Sequence, residues 1–488
     1  MDESDLLTVQ MSDMINLSLV KEDTVKDATV QESIDTVIGE KEQFTYHDIF
    51  RDYGKYRFIL VVGRPGSGKT VLLKQIGQDW ANEKILQLKL LIFVQLRHIG
   101  KDDKHDLTTI LQQSADFSQS ELDQLHSFVM SRSGDGVVFA FDGLDEYNPV
   151  QRNDAVIDIM KGRKLVKANI IVTSRPAASQ EFYRFAKLHL EVIGFLKPQV
   201  VEYIHTYFED NKEKALQLVT HLEHHTNLMN MCYLPLHCAM LASLYEGDNN
   251  DLPVTETEFY KHFTISMLLR SFDKREITSV KQIREFNQLP SSDKILFDKV
   301  CRLAFHATVD SKQIFKQSEL LKLGVKFEVD SKGCDKSSLG LVVIGRNRTR
   351  YGLEDTYTFV HLTFQEYLSA VYLSELNKIK QQVIIKTTLA NDKKHFSVVW
   401  KFLCGMMNFR HDQQMETFKV MVATPSKSDI LHLIQCAYET QHKKPCAHLI
   451  SLLNGTVDIQ RTHLSSSDCA AIGYVIKNAE YLKPLSIM

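Results

Sequence analysis

The sequence lacks the features that mark secreted, membrane-spanning and zinc-stabilised proteins. Its eight cysteines are scattered and include no Cys-x-x-Cys pair, which argues against a structural zinc site. No uninterrupted apolar run approaches the roughly 20 residues that a membrane-spanning helix needs. The acidic N-terminus also lacks the cationic and then apolar pattern of a secretory signal. We therefore expect a cytoplasmic protein with reduced thiols and no membrane span.

An excess of charge of one sign is also missing. The chain has 58 basic and 61 acidic side chains, which gives a formal net charge of -3 over 488 residues. Such a balance provides no global positive surface for a phosphate backbone, so it disfavours nucleic-acid binding. The 44% of hydrophobic and 24% of charged residues are typical of globular proteins. A chain of this length predicts roughly three or four packed units.

Short apolar runs alternate with amphipathic helical segments from Phe44 onward. Each run is rich in Val, Ile, Leu and Phe and is bounded by polar residues, Gly or Pro. This pattern predicts an α/β fold in which a parallel sheet is covered by helices on both faces. The predicted strands are Phe58–Val62, Leu90–Leu96, Val137–Phe141, Asn169–Thr173 and His189–Ile193.

Changes in composition and periodicity divide the chain into six predicted segments. They are an acidic leader, flexible or marginally helical and without strong strands (1–43), the α/β domain (44–196), a first helical domain (197–250), a winged-helix domain (251–376), a second helical domain (377–465) and a last segment (466–488). The winged-helix prediction depends on a hairpin, with strands at Gly340–Ile344 and Thr356–Val360, that follows helices. The last segment looks like the first turn of a leucine-rich repeat, which cannot bury its own apolar face. A helix followed by an apolar tail is the alternative.

One glycine-rich segment carries the clearest chemical signal. It matches the pattern G-x-x-x-x-G-K-[ST], follows a predicted strand and opens a predicted helix. In this pattern backbone N–H groups surround phosphates at a helix N-terminus, the lysine reaches the outer phosphates and the hydroxyl coordinates magnesium. The segment therefore predicts a site for ATP or ADP with Mg²⁺, formed by Gly63, Arg64, Pro65, Gly66, Ser67, Gly68, Lys69 and Thr70.

Charged residues follow two other predicted strands, at the sheet edge where open α/β sheets bind ligands. Asp142 is the expected magnesium partner of Thr70, and Asp145 or Glu146 could orient or deprotonate the attacking water. The alternative for these acids is a surface turn. Arg175 follows the strand Asn169–Thr173 and could bind a γ-phosphate, although a surface salt bridge is equally compatible with its position.

Together these motifs resemble the NACHT domain family of signal-transduction ATPases, the nucleotide-binding core of NOD-like receptors. The segment Phe141-Asp142-Gly143-Leu144-Asp145-Glu146 is similar to the family's Walker B motif, and Thr173-Ser174-Arg175-Pro176 is similar to its sensor 1. With further matches that include Tyr357–Leu368, the resemblance covers about residues 44–376. It implies that Pro235 lies near the base and that His361 contacts the β-phosphate of ADP. The capping-box spacing of Thr363 and Glu366 independently places His361 just before a helix.

The resemblance also implies a function. ADP would hold a closed form, exchange for ATP would open it, and opened copies would self-assemble and signal to an unknown effector in innate-immune-like sensing, with slow ATP hydrolysis. Two alternatives remain open: a mechanical or transport ATPase that turns over continuously, and an interaction scaffold that does not use nucleotide. The presence of Lys69, Thr70, Asp142 and Glu146 disfavours the scaffold.

Overall fold

The computed structural model describes most of the chain after residue 55. The described residues are 18–21, 43–44, 50 and 55–487, apart from 86–87, 101–102, 116, 148, 151–152, 176–178, 247–252, 275–282, 323, 326–338, 350–351, 389–394, 408–411, 423–429, 455, 458–463, 465 and 480–485. They divide into two compact units. The first contains residues from 1–220, 232–242 and 345–356, and the second contains residues from 221–231, 243–344 and 357–488.

The five predicted strands form the parallel sheet of the first unit, so the predicted α/β fold is confirmed. They are β3 Phe58–Gly63, β4 Leu90–Gln95, β5 Val137–Asp142, β6 Asn169–Ser174 and β7 Leu188–Gly194. Their order is β7-β3-β6-β5-β4, and within this set all neighbours pair in parallel. The strand that leads into the glycine-rich segment therefore lies inside the sheet, with a partner on either side.

Two further strands lie in the predicted leader or at its end, where a flexible or marginally helical segment was expected. β1 (Ser18–Lys21) pairs antiparallel with β7, and β2 (Gln43–Phe44) pairs antiparallel with β1. The sequence signal misses these strands because four and two residues are too few to show a strand pattern. β1 lies between β2 and β7, so only β2 ends this side of the described sheet.

Both faces of the sheet are buried. Within β3, Phe58, Leu60 and Val62 join one apolar core, while Ile59 and Val61 join the other. Successive side chains of a strand point to opposite faces, so a strand buried on both sides is apolar throughout. Helices cover each face, because Lys69–Ala81 packs into the second core, and Leu107–Ser114, Gln119–Ser131 and Ala155–Met160 pack into the first. The helices in chain order are α1 Lys69–Ala81, α2 Leu107–Ser114, α3 Gln119–Ser131, α4 Ala155–Met160, α5 Lys197–Tyr207, α6 Lys212–His224, α7 Thr226–Cys232 and α8 Pro235–Glu246.

The second unit is mostly helical. Its central ring cluster joins three helices, because Tyr260 lies with its ring centroid 5.0 Å from that of Phe364, 5.6 Å from that of Tyr367 and 5.0 Å from that of Phe402. The helices are α9 Glu256–Lys274, α10 Ser291–Val309, α11 Gln317–Lys322, α12 Leu362–Glu375, α13 Lys378–Thr387, α14 Ser397–Met406, α15 Asp412–Val422, α16 Ile430–Glu439, α17 Lys443–Leu452 and α18 Ser466–Asn478. Across the described ranges, no helix is long and apolar enough to cross a membrane.

Small sheets complete the described part of the chain. A three-stranded sheet has the order β8-β10-β9, with β8 Ile314–Lys316, β9 Val342–Thr349 and β10 Gly352–Phe359. The strands of the predicted hairpin are thus present and longer than expected, while the winged-helix assignment and the domain boundaries stay predictions. Near the C-terminus, β11 (Thr456–Val457) pairs in parallel with β12 (Ser486–Ile487). Most of the predicted repeat turn lies outside the described residues.

Candidate functional site

The glycine-rich loop connects β3 to α1. Gly66 and Gly68 have φ angles of 77° and 101°, and Gly68 is the N-cap of α1. These left-handed conformations strongly favour glycine. A Cβ atom on Gly63 would lie 2.6 Å from Oγ of Ser67, so the loop has no room for a side chain there. The sequence thus gives a tight turn at a helix N-terminus, where backbone N–H groups attract anions.

Ser67 provides the test of whether this loop suits a phosphate. Its side chain is 1% exposed, and its buried Oγ has no hydrogen-bond partner among the described residues. A buried hydroxyl without a partner costs free energy. A phosphate oxygen seated in the loop would accept its hydrogen, so the residues present fit a nucleotide phosphate.

Lys69 lies inside the loop rather than in an ion pair with the nearby acids. Its Nζ donates to the backbone oxygens of Gly63, at 2.8 Å, and Arg64, at 2.9 Å. Burial lowers the pKa of Lys69 to about 8, and the negative charge of Asp145 opposes that effect. Phosphate oxygens would be stronger acceptors for this amine than two neutral carbonyls.

Asp142 and two threonines form a hydrogen-bonded group at the ends of β5 and β6. Thr70 Oγ1 donates to Asp142 Oδ2 at 2.9 Å, and Thr173 Oγ1 donates to Asp142 Oδ1 at 2.7 Å. Thr173 in turn accepts the backbone N–H of Gly143 at 2.9 Å. The predicted magnesium residues Thr70 and Asp142 are therefore in contact, and their oxygen atoms are the donor type that Mg²⁺ prefers.

Arg175 pairs with Asp145. Its Nε lies 2.9 Å from Asp145 Oδ2, and its backbone N–H donates to Asp145 Oδ1 at 3.0 Å. The two side chains are 20% and 11% exposed, so this is a sheltered ion pair rather than a surface one. Asp145 therefore positions Arg175 at the carboxyl end of β6. Pro176, the last residue of the sensor 1 match, lies outside the described residues.

Glu146 is held close to the turn that follows Asp142. Gly143 has a φ angle of 79°, and a Cβ atom on it would lie 3.0 Å from Glu146 Oε2. Burial, and next the charge of Asp145, raises the pKa of Glu146 to about 7, whereas Arg97 acts in the opposite direction. Sequence reasoning missed Arg97, which lies in the short helix Leu96–His98 directly after β4. The available signal was a basic residue at the carboxyl end of a predicted strand.

Pro235 begins α8, and its neighbours contact the glycine-rich loop. The backbone N–H of Leu236 donates to Gly66 O at 3.3 Å, and that of Phe195 donates to Tyr233 O at 2.8 Å. A Cβ atom on Gly194, the last residue of β7, would lie 2.2 Å from Tyr233 O and 3.3 Å from Pro235 Cδ. The structure brings this segment to the loop, and the contact of Pro235 with a base stays a prediction.

His361 belongs to the second unit, where it is the N-cap of α12. Its Nδ1 accepts the backbone N–H of Thr363 at 3.1 Å. The expectation that His361 lies just before a helix is correct. The predicted capping box of Thr363 and Glu366 is wrong, because Thr363 is already inside the helix and the imidazole caps it instead. The contact of His361 with ADP stays a prediction.

The close approach at Gly194 leads to a testable expectation about stability. We expect Gly194→Ala to lower the free energy of unfolding by about 3 kcal/mol, because the methyl group collides with backbone and alanine disfavours a φ angle of 94°. Gly77→Ala is the matched control. Gly77 lies inside α1 with nothing within 4 Å of the added Cβ, so we expect a gain of about 0.5 to 1 kcal/mol. Calorimetric unfolding of both variants measures the difference, and equal melting temperatures would contradict it.

Comparisons with known proteins match the part of the chain that contains this site. The sequence model of the NACHT domain matches residues 57–211. Bovine NACHT, LRR and PYD domains-containing protein 3 is 20% identical over 498 residues, which cover 88% of this chain and 45% of that protein. The human NACHT, LRR and PYD domains-containing protein 12 is 22% identical over 470 residues, which cover 85% of this chain and 42% of that protein. The chain thus spans less than half the length of these curated relatives.

A solved structure shows a weaker similarity. It is a signal-transduction ATPase with numerous domains and a tetratricopeptide-repeat sensor, from Pyrococcus horikoshii. It is 10% identical, with a TM-score of 0.32, and covers 88% of this chain and 57% of its own. A score this low supports no conclusion about function.

Proposed function

We propose that this chain, which carries a NACHT domain at residues 57–211, is an ATP- and ADP-operated molecular switch. With ADP it is closed, and exchange for ATP opens it so that copies of the chain associate and engage an effector protein in the cytoplasm. Slow hydrolysis returns the switch to its ADP form. The role is that of an innate-immune-like sensor, as the resemblance of its motifs to the NACHT family of NOD-like receptors implies.

The observation that carries the proposal is the contact between Thr70 and Asp142 beside the glycine-rich loop. A hydroxyl from the loop and a carboxylate from the neighbouring strand meet at 2.9 Å, which supports a shared magnesium site. The buried Ser67 hydroxyl and the Lys69 amine lie in the same loop, where a phosphate would replace the present carbonyl partners of the amine. An interaction scaffold that does not use nucleotide has no need for this combination.

Each side chain has a role in this site. Lys69 would hold the outer phosphates, and Thr70 and Asp142 would hold Mg²⁺ through their side-chain oxygen atoms. When bound, Mg²⁺ would neutralise part of the negative charge of the phosphates. Glu146 in its ionised form would accept a proton from the attacking water. Asp145 holds Arg175 at the carboxyl end of β6, from which the guanidinium would contact a phosphate oxygen.

Glu146 and Arg175 both bear on the rate of hydrolysis. A base with a pKa of about 7 is partly ionised at neutral pH, which suits a group that takes a proton from water and makes the rate depend on pH. Asp145 pairs with Nε of Arg175, and the guanidinium has further N–H groups with which it would contact a phosphate. A mechanical or transport ATPase is the second candidate, and it requires a high steady turnover that the switch does not need.

A switch requires that the two nucleotides have different affinities for the two forms, since equal affinity shifts no equilibrium. His361 is the proposed contact that favours ADP in the closed form. The resemblance to the NACHT family supports this assignment, as does the position of the ring at the start of α12, outside the regular helix.

The oligomeric state tests the proposal. We expect purified protein to sediment as a small species with ADP and as a larger assembly with a non-hydrolysable ATP analogue and Mg²⁺. Analytical ultracentrifugation measures the two masses in one buffer. Identical masses with both nucleotides, at concentrations that saturate the site, would refute nucleotide-driven assembly.

A further inference from the structure

A buried polar cluster lies next in sequence to the turn Gly143–Glu146, called here the acidic turn, and nucleotide binding does not explain it. It consists of His105, Tyr147 and Asp154, which are 5%, 7% and 4% exposed. His105 lies in the connection between β4 and α2, Tyr147 directly follows Glu146, and Asp154 is the N-cap of α4. Three separate parts of the first unit thus meet through polar side chains in an otherwise apolar region.

Short hydrogen bonds connect the three side chains. The Tyr147 hydroxyl oxygen lies 2.6 Å from Nδ1 of His105 and 2.8 Å from Oδ2 of Asp154. The other ring nitrogen of His105, Nε2, lies 3.1 Å from the carbonyl oxygen of Gly100. His105 Nδ1 and Asp154 Oδ2 are themselves 3.5 Å apart. Such a network inside a protein is strong when every member is satisfied and costly when one is not.

The hydrogens in this cluster can be counted. A carbonyl oxygen only accepts, so the bond to Gly100 requires a hydrogen on Nε2 of His105. The two short contacts of the Tyr147 oxygen need one hydrogen each, and the phenol supplies only one. The other must come from Nδ1 of His105 or from the carboxyl group of Asp154. Burial raises the pKa of Tyr147, and the charge of Asp154 raises it further, so the phenol keeps its own hydrogen.

The three contacts need three hydrogens. A neutral imidazole, a phenol and a carboxylate have only two polar hydrogens between them, so the cluster holds one more. Loss of that hydrogen would leave two lone pairs facing each other across 2.6 or 2.8 Å. The carboxylate is fixed by further bonds, because the backbone N–H groups of Val150 and Ile157 donate to it at 3.1 and 3.0 Å. The shared hydrogen is thus what keeps Tyr147 attached to both of its partners.

The backbone connects the polar cluster to the acidic turn. Tyr147 ends the short helix Leu144–Glu146, and its N–H donates to Leu144 O at 3.2 Å. The connection that carries His105 also carries Arg97, whose charge acts on Glu146. The backbone oxygen of His105 accepts the N–H of Ala155 at 2.7 Å, which joins the same connection to the start of α4.

We propose that His105, Tyr147 and Asp154 are positioning residues that hold Glu146 in place for hydrolysis through their shared hydrogen. The three side chains do not contact the nucleotide; they fix the residue that follows the base. The proposal deepens the proposed function and rests on it. It predicts that loss of the Tyr147 hydroxyl changes the rate of hydrolysis and leaves the affinity for nucleotide unchanged.

Tyr147→Phe is the test, and Tyr203→Phe is its matched control. The Tyr203 hydroxyl in α5 is also buried but has no hydrogen-bond partner within the described part of the chain, so its removal breaks no bond. We expect Tyr147→Phe to slow single-turnover ATP hydrolysis on the order of tenfold and to shift the midpoint of its pH profile. The dissociation constant for MgATP stays at the wild-type value. The control variant keeps both the rate and the midpoint.

Proton NMR of the wild-type protein provides the structural readout. The shared hydrogen should give an exchange-protected resonance downfield of the backbone amides, which disappears in Tyr147→Phe and persists in Tyr203→Phe. His105→Gln serves as a second variant if Tyr147→Phe is unfolded at the assay temperature, and the same loss of rate is expected.

Three results would overturn the inference: an unchanged rate and pH midpoint in both cluster variants, absence of the resonance from the wild type, or loss of MgATP binding in a folded cluster variant. A wild-type protein that binds no MgATP would instead overturn the proposed function, and this inference with it.

Discussion

Lys69→Ala is expected to weaken nucleotide binding by about 100-fold, because loss of one partner of a buried, charged hydrogen bond costs about 3 kcal/mol. Protein purified without added nucleotide should then lose the ADP or ATP that the wild type retains. Among the described residues, the amine donates to two loop carbonyls and to no acid. Its positive charge is therefore directed to the place where phosphates would lie.

Lys74→Ala is the control for this experiment. Lys74 lies on the same helix, α1, and its side chain is exposed, so its loss removes the same charge from the chain without altering the loop. Nucleotide released by denaturation is quantified by chromatography, and affinity is measured by calorimetric titration. Equal nucleotide content in the wild type, Lys69→Ala and Lys74→Ala would show that the loop does not bind nucleotide.

Glu146→Gln is expected to slow single-turnover hydrolysis on the order of 100-fold, since an amide cannot accept the proton of the attacking water. Binding of MgATP should persist, so the variant should remain in its ATP form and, with ATP, assemble as the wild type does with the non-hydrolysable analogue. Glu209→Gln, an exposed substitution beyond the end of α5, is the control. A continuously working ATPase would instead lose a high steady turnover.

The pKa of Glu146 gives this prediction a pH dependence. The ionised carboxylate is the active form of a base, and its pKa is about 7. The wild-type rate should therefore rise about tenfold per pH unit below that value and become constant above it. The Glu146→Gln variant should show no such rise. A wild-type rate that is constant between pH 5 and 8 would exclude Glu146 as the base.

The parts of the fold that the sequence predicted are those that depend on local pattern. The strand Phe58–Gly63 is buried on both faces and therefore reads as a continuous apolar run. The glycine-rich loop was recognisable because Gly66 and Gly68 must adopt left-handed backbone conformations next to a helix N-terminus. Asp142 was predicted as a site residue because it directly follows a predicted strand.

The parts that the sequence did not predict depend on distant partners. Arg97 was missed because its relation to Glu146 arises only when the ends of β4 and β5 lie side by side. The cluster around Tyr147 joins residues up to 49 positions apart, of which the farthest pair is His105 and Asp154. The N-cap of α12 was misassigned because Thr363 has the residue type that caps prefer, whereas the histidine two positions earlier occupies the site.

The cap at the start of α12 also decides which tautomer of His361 is present. Since Nδ1 accepts the N–H of Thr363, the neutral ring must carry its hydrogen on Nε2. Any hydrogen-bond partner of Nε2 must therefore be an acceptor, and a phosphate oxygen would be one. Full protonation of the imidazole would give Nδ1 a hydrogen and break the cap. If His361 contacts ADP as proposed, a single ring would link the phosphate to the first turn of α12.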